Sequence, residues 1–338
     1  LMADSSRKSY SKYVFRDGQY QMIGATLDSL PCGFYRPFVD SYGNPFLNKQ
    51  EISMPKLYEL PNDTQSTILN DVKKFWESED RYRKFGSVYK RNILLYSVPG
   101  NGKTSLIQII SNKLINEYNG LIIMVNDCDD LMWYGKCVKA IREIEPNRKM
   151  ITIIEDFENL TSSRQCTGLL LQLLDGNAQI DNMVTIATTN FPQEIETRFT
   201  CRPSRFNLVI EYKKPNDETR RAYITNKLIE GGIDVSSESV KDDIERLVGK
   251  SNGFTFDFVK EMIQCIYIDG INEDDVFDRL NDLIDQNGNL KVTEFENGKS
   301  SIGFDIPDEC DDIKYVKKSS NDRRIVLDKY PANLEVGC

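Results

Sequence analysis

The chain has 338 residues, with 40 % hydrophobic and 28 % charged side chains and a net charge of −9. That is the profile of a water-facing globular protein of two or three compact units, and the acidic balance argues against a surface built for phosphate backbones. Histidine is absent, which removes Ser-His-Asp and Cys-His catalysis and every histidine-ligated metal site.

Any chemistry must therefore run on carboxylates, lysine, arginine, hydroxyls and backbone amides, and phosphoryl transfer to water fits that set. The eight cysteines form no C-x-x-C pair and read as reduced thiols of a cytoplasmic protein. No apolar run approaches bilayer length, and the opening LMADSSRKSYSKY lacks an apolar signal core, so no membrane insertion is expected. The Asn-, Asp-, Ile- and Lys-rich usage is that of an AT-rich genome, viral ones included.

Residues 1–63 are rich in Tyr, Phe, Gly and Pro, as in LPCGFYRPFVDSYGNPF, and read as a small β-rich or irregular N-terminal module. From Thr64 to Tyr89 the apolar residues Ile68, Leu69, Val72, Phe75 and Trp76 recur at helical spacing. Across residues 64–213 strands and helices alternate. Asn92–Val98, Leu121–Val125, Met150–Ile154, Met183–Thr188 and Phe206–Tyr212 read as strands, and Lys103–Tyr118, Lys136–Glu145 and Thr167–Leu174 as helices. Continuous apolar strands separated by helices predict an α/β domain, a parallel sheet covered on both faces. Residues 214–285 read as all-helical, opened by an N-cap at Asn216 or Asp217 after Pro215. Residues 286–338 read as a hairpin about Asn297-Gly298 followed by an acidic tail.

At the end of the first sheet strand stands Ser97-Val98-Pro99-Gly100-Asn101-Gly102-Lys103-Thr104, a G-x-x-x-x-G-K-[ST] phosphate loop with Ser97 in place of the first glycine. Gly100 and Gly102 permit a backbone that turns its amides toward phosphate oxygens. Pro99, Gly100, Asn101, Gly102, Lys103, Thr104 and Ser105 are thus candidates for binding ATP. Lys103 would reach the β- and γ-phosphates, Thr104 would ligate Mg2+, and the following helix points its positive end at the anion. The bland alternative is a glycine-rich turn with an incidental lysine.

ITIIEDFE ends the next acid-bearing strand on Glu155-Asp156, the reverse of the usual Asp-Glu order. The spacing is workable for a strand adjacent to the phosphate loop. Side chains alternate along an extended strand, which gives Glu155 the metal role and Asp156 the attacking water. Alternatively, the strand merely runs into a solvated turn.

Further landmarks carry a resemblance. MVTIATTN ends on Asn190, CRPSRF carries Arg202 and Arg205, KPND opens the helical segment, and SNGFTFD follows within it. Together with the phosphate loop and the acid pair, these resemble AAA ATPases over residues 65–275. The resemblance implies a P-loop NTPase sheet followed by a small helical lid. It also implies that Asn190 orients the lytic water and that Arg202 and Arg205 enter the neighbouring subunit's site in a hexameric ring. The KRNILLYSVPGNGKTS block, the Glu-Asp order and the Thr167–Gly176 segment resemble the branch of mitochondrial complex-III assembly translocases, which move the Rieske protein.

Leu131-Met132-Trp133-Tyr134-Gly135 lies where polypeptide-threading members carry an aromatic pore loop. Trp133, Tyr134 and Gly135 are accordingly expected to line a central pore, the alternative being that the two rings cap the core. The functional expectation is an ATP-hydrolysing ring motor that remodels or threads a polypeptide. A nucleic-acid motor is the first alternative, resting on Arg7, Lys8, Lys12, Arg16 and on Arg81, Arg83, Lys84, Lys90, Arg91. A nucleotide-gated scaffold with little turnover is the second.

Overall fold

The structure, a computed structural model, describes residues 12–16, 19–23, 27–51, 58, 60–61, 63–175, 180–200 and 202–291. Strands β1 (Lys12–Arg16) and β2 (Gln19–Ile23) pair with each other, antiparallel. β3 (Gly33–Val39) and β4 (Pro45–Gln50) follow, then helices α1 (Asp63–Trp76) and α2 (Glu79–Lys84). The alternating region runs β5 (Lys90–Tyr96), α3 (Lys103–Tyr118), β6 (Leu121–Met124), α4 (Cys128–Ile144), β7 (Met150–Ile154), α5 (Phe157–Thr161), α6 (Arg164–Asp175), β8 (Met183–Thr189), α7 (Thr197–Thr200) and β9 (Leu208–Glu211). Four helices close the described chain: α8 (Asp217–Glu230), α9 (Glu238–Lys250), α10 (Phe256–Tyr267) and α11 (Glu273–Lys291).

Seven strands form one sheet in the order β4-β3-β6-β7-β8-β5-β9, parallel throughout except for β4. Side-chain alternation divides its core in two. Leu94, Ile123 and Ile154 face one apolar cluster with α4, α5 and α6, while Ile93, Leu95, Ile122 and Ile153 face another with α1 and α3. A third cluster, built from Ile224, Leu247, Phe254, Val259 and Phe277, is the core of the C-terminal helices.

Three expectations about organisation are corrected. β3 and β4 are not part of a separate N-terminal module, because β3 pairs parallel with β6 and extends the seven-stranded sheet. The boundary at residues 285 and 286 falls inside α11, which continues to Lys291; the Asn297-Gly298 hairpin lies outside the described residues. The acid-bearing strand β7 does not adjoin β5, since β8 lies between them. That last arrangement places the end of β8 between the phosphate loop and the acid pair.

Cysteine chemistry also differs from expectation. Cys128, at the start of α4, and Cys166, in α6, are joined in a disulfide with their Cα atoms 5.5 Å apart. Among the described residues Cys32, Cys137 and Cys265 are free thiols. Packing of α4 on α6 brings the pair together, and a separation of 38 residues gives no sequence cue. No helix among the described residues is long and apolar enough to cross a membrane.

Candidate active site

The site forms where β5, β8 and β7 end on one edge of the sheet. Gly100 and Gly102 take positive φ, +73° and +80°, so the loop turns as its glycines allow. Ser97 is outside the positive-φ set, so the missing first glycine does not strain the turn. Its hydroxyl accepts a hydrogen bond from Lys103 Nζ at 2.9 Å and donates to the carbonyl of Val98. That is a function the sequence pattern did not assign to serine. Gly102 caps α3 and offers no side-chain cap of its own. The first-turn amides therefore remain available to an anion, with the helix dipole behind them. Pro99, Thr104 and Ser105 form the exposed rim, and Asn101 is buried.

Lys103 is the hub. Its ammonium donates to Ser97 and to the Oδ1 of Asn190. Burial pulls its pKa down, opposed by the negative charges of Asp156, Glu158 and Glu155. Asn190 Nδ2 donates to Asp156 Oδ1 at 3.2 Å, so one neutral amide spans the cation and the carboxylate. Thr104 Oγ1 donates to Glu155 Oε2 at 2.8 Å. The structure thus brings Glu155 to Thr104 and Asp156 to Asn190.

The cause differs from strand alternation. β7 ends at Ile154, and Asp156 adopts a left-handed conformation, φ 48° and ψ 59°, as it caps α5. A non-glycine residue there is strained by about 1–2 kcal/mol, which Asp tolerates better than most. The turn, rather than the pleat, separates the two carboxylates.

The two arginines are not equivalent. Arg202 is 65 % exposed and lies 4.0 Å from Asp175, whereas Arg205 is 10 % exposed and lies 3.6 Å from the same carboxylate. Arg205 also donates to the carbonyl of Arg198, and burial lowers its pKa. Within the subunit Arg205 is held by two partners, and Arg202 is largely exposed.

The expected pore segment is corrected in two respects: it is helix rather than loop, and Tyr134 belongs to the core. Asp127 caps α4 through the backbone N–H of Asp130, and the helix runs from Cys128 through Gly135 without a loop. Tyr134 is 1 % exposed, and its hydroxyl pairs with Thr152 at 2.5 Å. Burial pushes its pKa up to about 12. Trp133 is half-buried on the same helix with Lys136 over its ring, and a side chain at Gly135 would meet open space. The acids of the first turn and the apolar 3–4 spacing of Leu131, Tyr134 and Val138 are the helix signals that outweigh the loop reading.

The start of α10 reaches the phosphate loop. The backbone N–H of Asp257 donates to Gly100 O at 3.0 Å. A Cβ built on Gly100 would meet Asp257 Oδ2 at 2.9 Å, and one on Gly102 would meet Phe256 at 3.4 Å. Asn101 Nδ2 donates to the carbonyl of Tyr212 at 2.6 Å. Of the adjacent α8 arginines, Arg220 is buried and bonds the carbonyls of Pro215 and Val248, while Arg221 faces outward to Glu245.

This geometry meets an independent match: the family model for the ATPase family associated with various cellular activities (AAA) covers residues 93–214. The chain carries an AAA ATPase domain. Similar proteins include a putative 26S proteasome regulatory subunit homolog of Methanocaldococcus jannaschii, 30 % identical over 52 % of this chain and 48 % of that protein. The probable mitochondrial chaperone BCS1-A of Dictyostelium discoideum is 30 % identical over 51 % of this chain and 42 % of its own length. A cell division cycle protein 48 homolog of Archaeoglobus fulgidus is 28 % identical over 51 % of this chain and 24 % of its own. The chain therefore spans about half or less of the curated relatives it matches.

Proposed function

We propose that the chain is a Mg2+-dependent ATPase that works as a ring and acts on protein substrates. The observation that carries the hydrolytic reading is the convergence of Lys103, Thr104, Glu155, Asp156 and Asn190 at one strand edge. The residues fit the groups they would hold. Uncapped helix amides and Lys103 suit phosphate oxygens, and the oxygens of Thr104 and Glu155, 2.8 Å apart, suit a hard cation. Bound there, Mg2+ would offset charge on the β- and γ-phosphates. Asp156 takes the proton of the attacking water, and Asn190 holds that water through the amide it already directs at Asp156.

Arg202, exposed and outward, is the arginine that reaches a neighbouring copy, while Arg205 stays within its own subunit. The names of the relatives, a proteasome regulatory subunit homolog and a chaperone, support a polypeptide substrate over nucleic acid. With no aromatic loop at residues 131–135, gripping by Trp133 and Tyr134 is not part of this reading.

The test is phosphate release by the purified protein with and without an unfolded polypeptide. Wild type is expected to hydrolyse ATP and be stimulated by the polypeptide, and Lys103→Ala to lose nucleotide binding. ATP binding with no phosphate release would overturn the hydrolytic reading. Salt-sensitive stimulation by DNA, with none by polypeptide, would overturn the substrate class.

A further inference from the structure

ITIIEDFE ends on a third carboxylate, Glu158, which the phosphate-loop pattern leaves without a role. It lies in the single turn of α5, between Phe157 and Leu160, both buried in the core. Its Oε1 accepts the backbone N–H of Asn190 at 3.3 Å. Its Oε2 is buried and has no hydrogen-bond partner among the described residues. Asn190 sits just beyond the end of β8, so the ladder has stopped holding its amide. A half-buried carboxylate on that N–H takes over where the strand leaves off.

We propose that Glu158 is a positioning residue for hydrolysis. It anchors the backbone of Asn190 so that the Asn190 side-chain amide stays between the Lys103 ammonium and the Asp156 carboxylate. The side chain of Asn190 has one productive orientation, oxygen to Lys103 and nitrogen to Asp156. Both bonds depend on where the backbone at the strand end is held, and Glu158 fixes it from the helix that follows the acid pair. The same turn thus carries the water-activating acid at its cap and the anchor of its partner amide two residues later.

The inference rests on the hydrolytic reading of the site, so the experiment uses two readouts. Turnover and the KM for ATP are measured for wild type, Glu158→Ala, Glu158→Gln and Glu158→Asp, together with hydrogen exchange of the Asn190 amide. Glu158→Ala is expected to lower kcat about tenfold or more with KM within about threefold, and to speed amide exchange at Asn190 about tenfold. Glu158→Gln keeps a carbonyl acceptor and is expected within about threefold of wild type in both, whereas Glu158→Asp, too short to span, should follow Ala. Should the Ala variant fail to fold, the Gln and Asp pair decides. Wild-type exchange in the Ala or Asp variant overturns the proposal. So does a Gln variant as slow as Ala, which would make charge rather than the hydrogen bond the working feature. If wild type itself releases no phosphate, the hydrolytic reading fails, and the exchange data still decide whether Glu158 holds Asn190.

Discussion

Asp156→Asn separates chemistry from folding. Asp156 sits at φ 48° and ψ 59°, a region asparagine tolerates as well as aspartate. The asparagine retains Oδ1, so the 3.2 Å bond from Asn190 Nδ2 can persist. The exposed side chain leaves no cavity. Stability should therefore change by less than about 0.5 kcal/mol. What is lost is the capacity to take a proton from water, a contribution of roughly 10²–10⁴-fold, or about 3–5 kcal/mol of barrier. Glu155→Gln likewise keeps an acceptor for Thr104 Oγ1 but loses the charge that faces a cation, so its effect should appear as a raised Mg2+ requirement. Asp156→Ala adds a backbone penalty of about 1–2 kcal/mol because alanine resists the left-handed turn. The assay pairs single-turnover phosphate release with binding of a fluorescent ATP analogue and a denaturant melt. The expected result for Asp156→Asn is tight ATP binding, unchanged melting and turnover reduced at least a hundredfold. If it instead hydrolyses within threefold of wild type while Glu155→Gln stalls with ATP bound, the roles are reversed and the reasoning from backbone geometry is refuted.

Tyr134→Phe removes a hydroxyl buried against Thr152 and should lower stability by about 1 kcal/mol in a denaturant melt without changing turnover. An unchanged melt with lost substrate processing would return Tyr134 to a gripping role. Arg202→Ala, at an exposed side chain, should leave melting unchanged and reduce turnover of the assembled protein about 10³-fold or more. Arg205→Ala should lower stability as well, because it strips a mostly buried guanidinium from the Arg198 carbonyl and Asp175. Equal turnover in Arg202→Ala and wild type would rule out the trans assignment.

Local signals were legible wherever a residue's conformation is fixed by its neighbours. The Gly100 and Gly102 spacing, the Lys103 helix start, the Asn216 cap and the apolar strands all correspond to described elements. What the sequence misplaced depended on partners far along the chain. Tyr134 became core because Thr152, 18 residues on in the next strand, supplies a hydroxyl for its own. β3 joined the ATPase sheet through a pairing with β6, nearly ninety residues on. An aromatic pair before a glycine looks alike in a loop and in a helix until the cap at Asp127 is weighed against it.

The acid pair shows how a sequence argument can meet the observed geometry through the wrong cause. Alternation along β7 placed Glu155 and Asp156 on opposite sides, but neither residue lies in the strand. Their separation comes from one left-handed residue at a strand-to-helix turn. That distinction has a physical consequence. A pleat would tolerate any side chain at position 156, whereas the turn favours Asp, Asn or Gly. A glutamate there, the residue of the usual order, would meet a steeper backbone penalty, because its longer side chain lacks the local hydrogen bonding that eases Asp and Asn into this region. The reversed order thus follows from the turn itself: the short acid occupies the left-handed position beside Asn190, and the longer one reaches Thr104. Restoring the usual order by exchanging the two acids should then lower stability rather than raise activity.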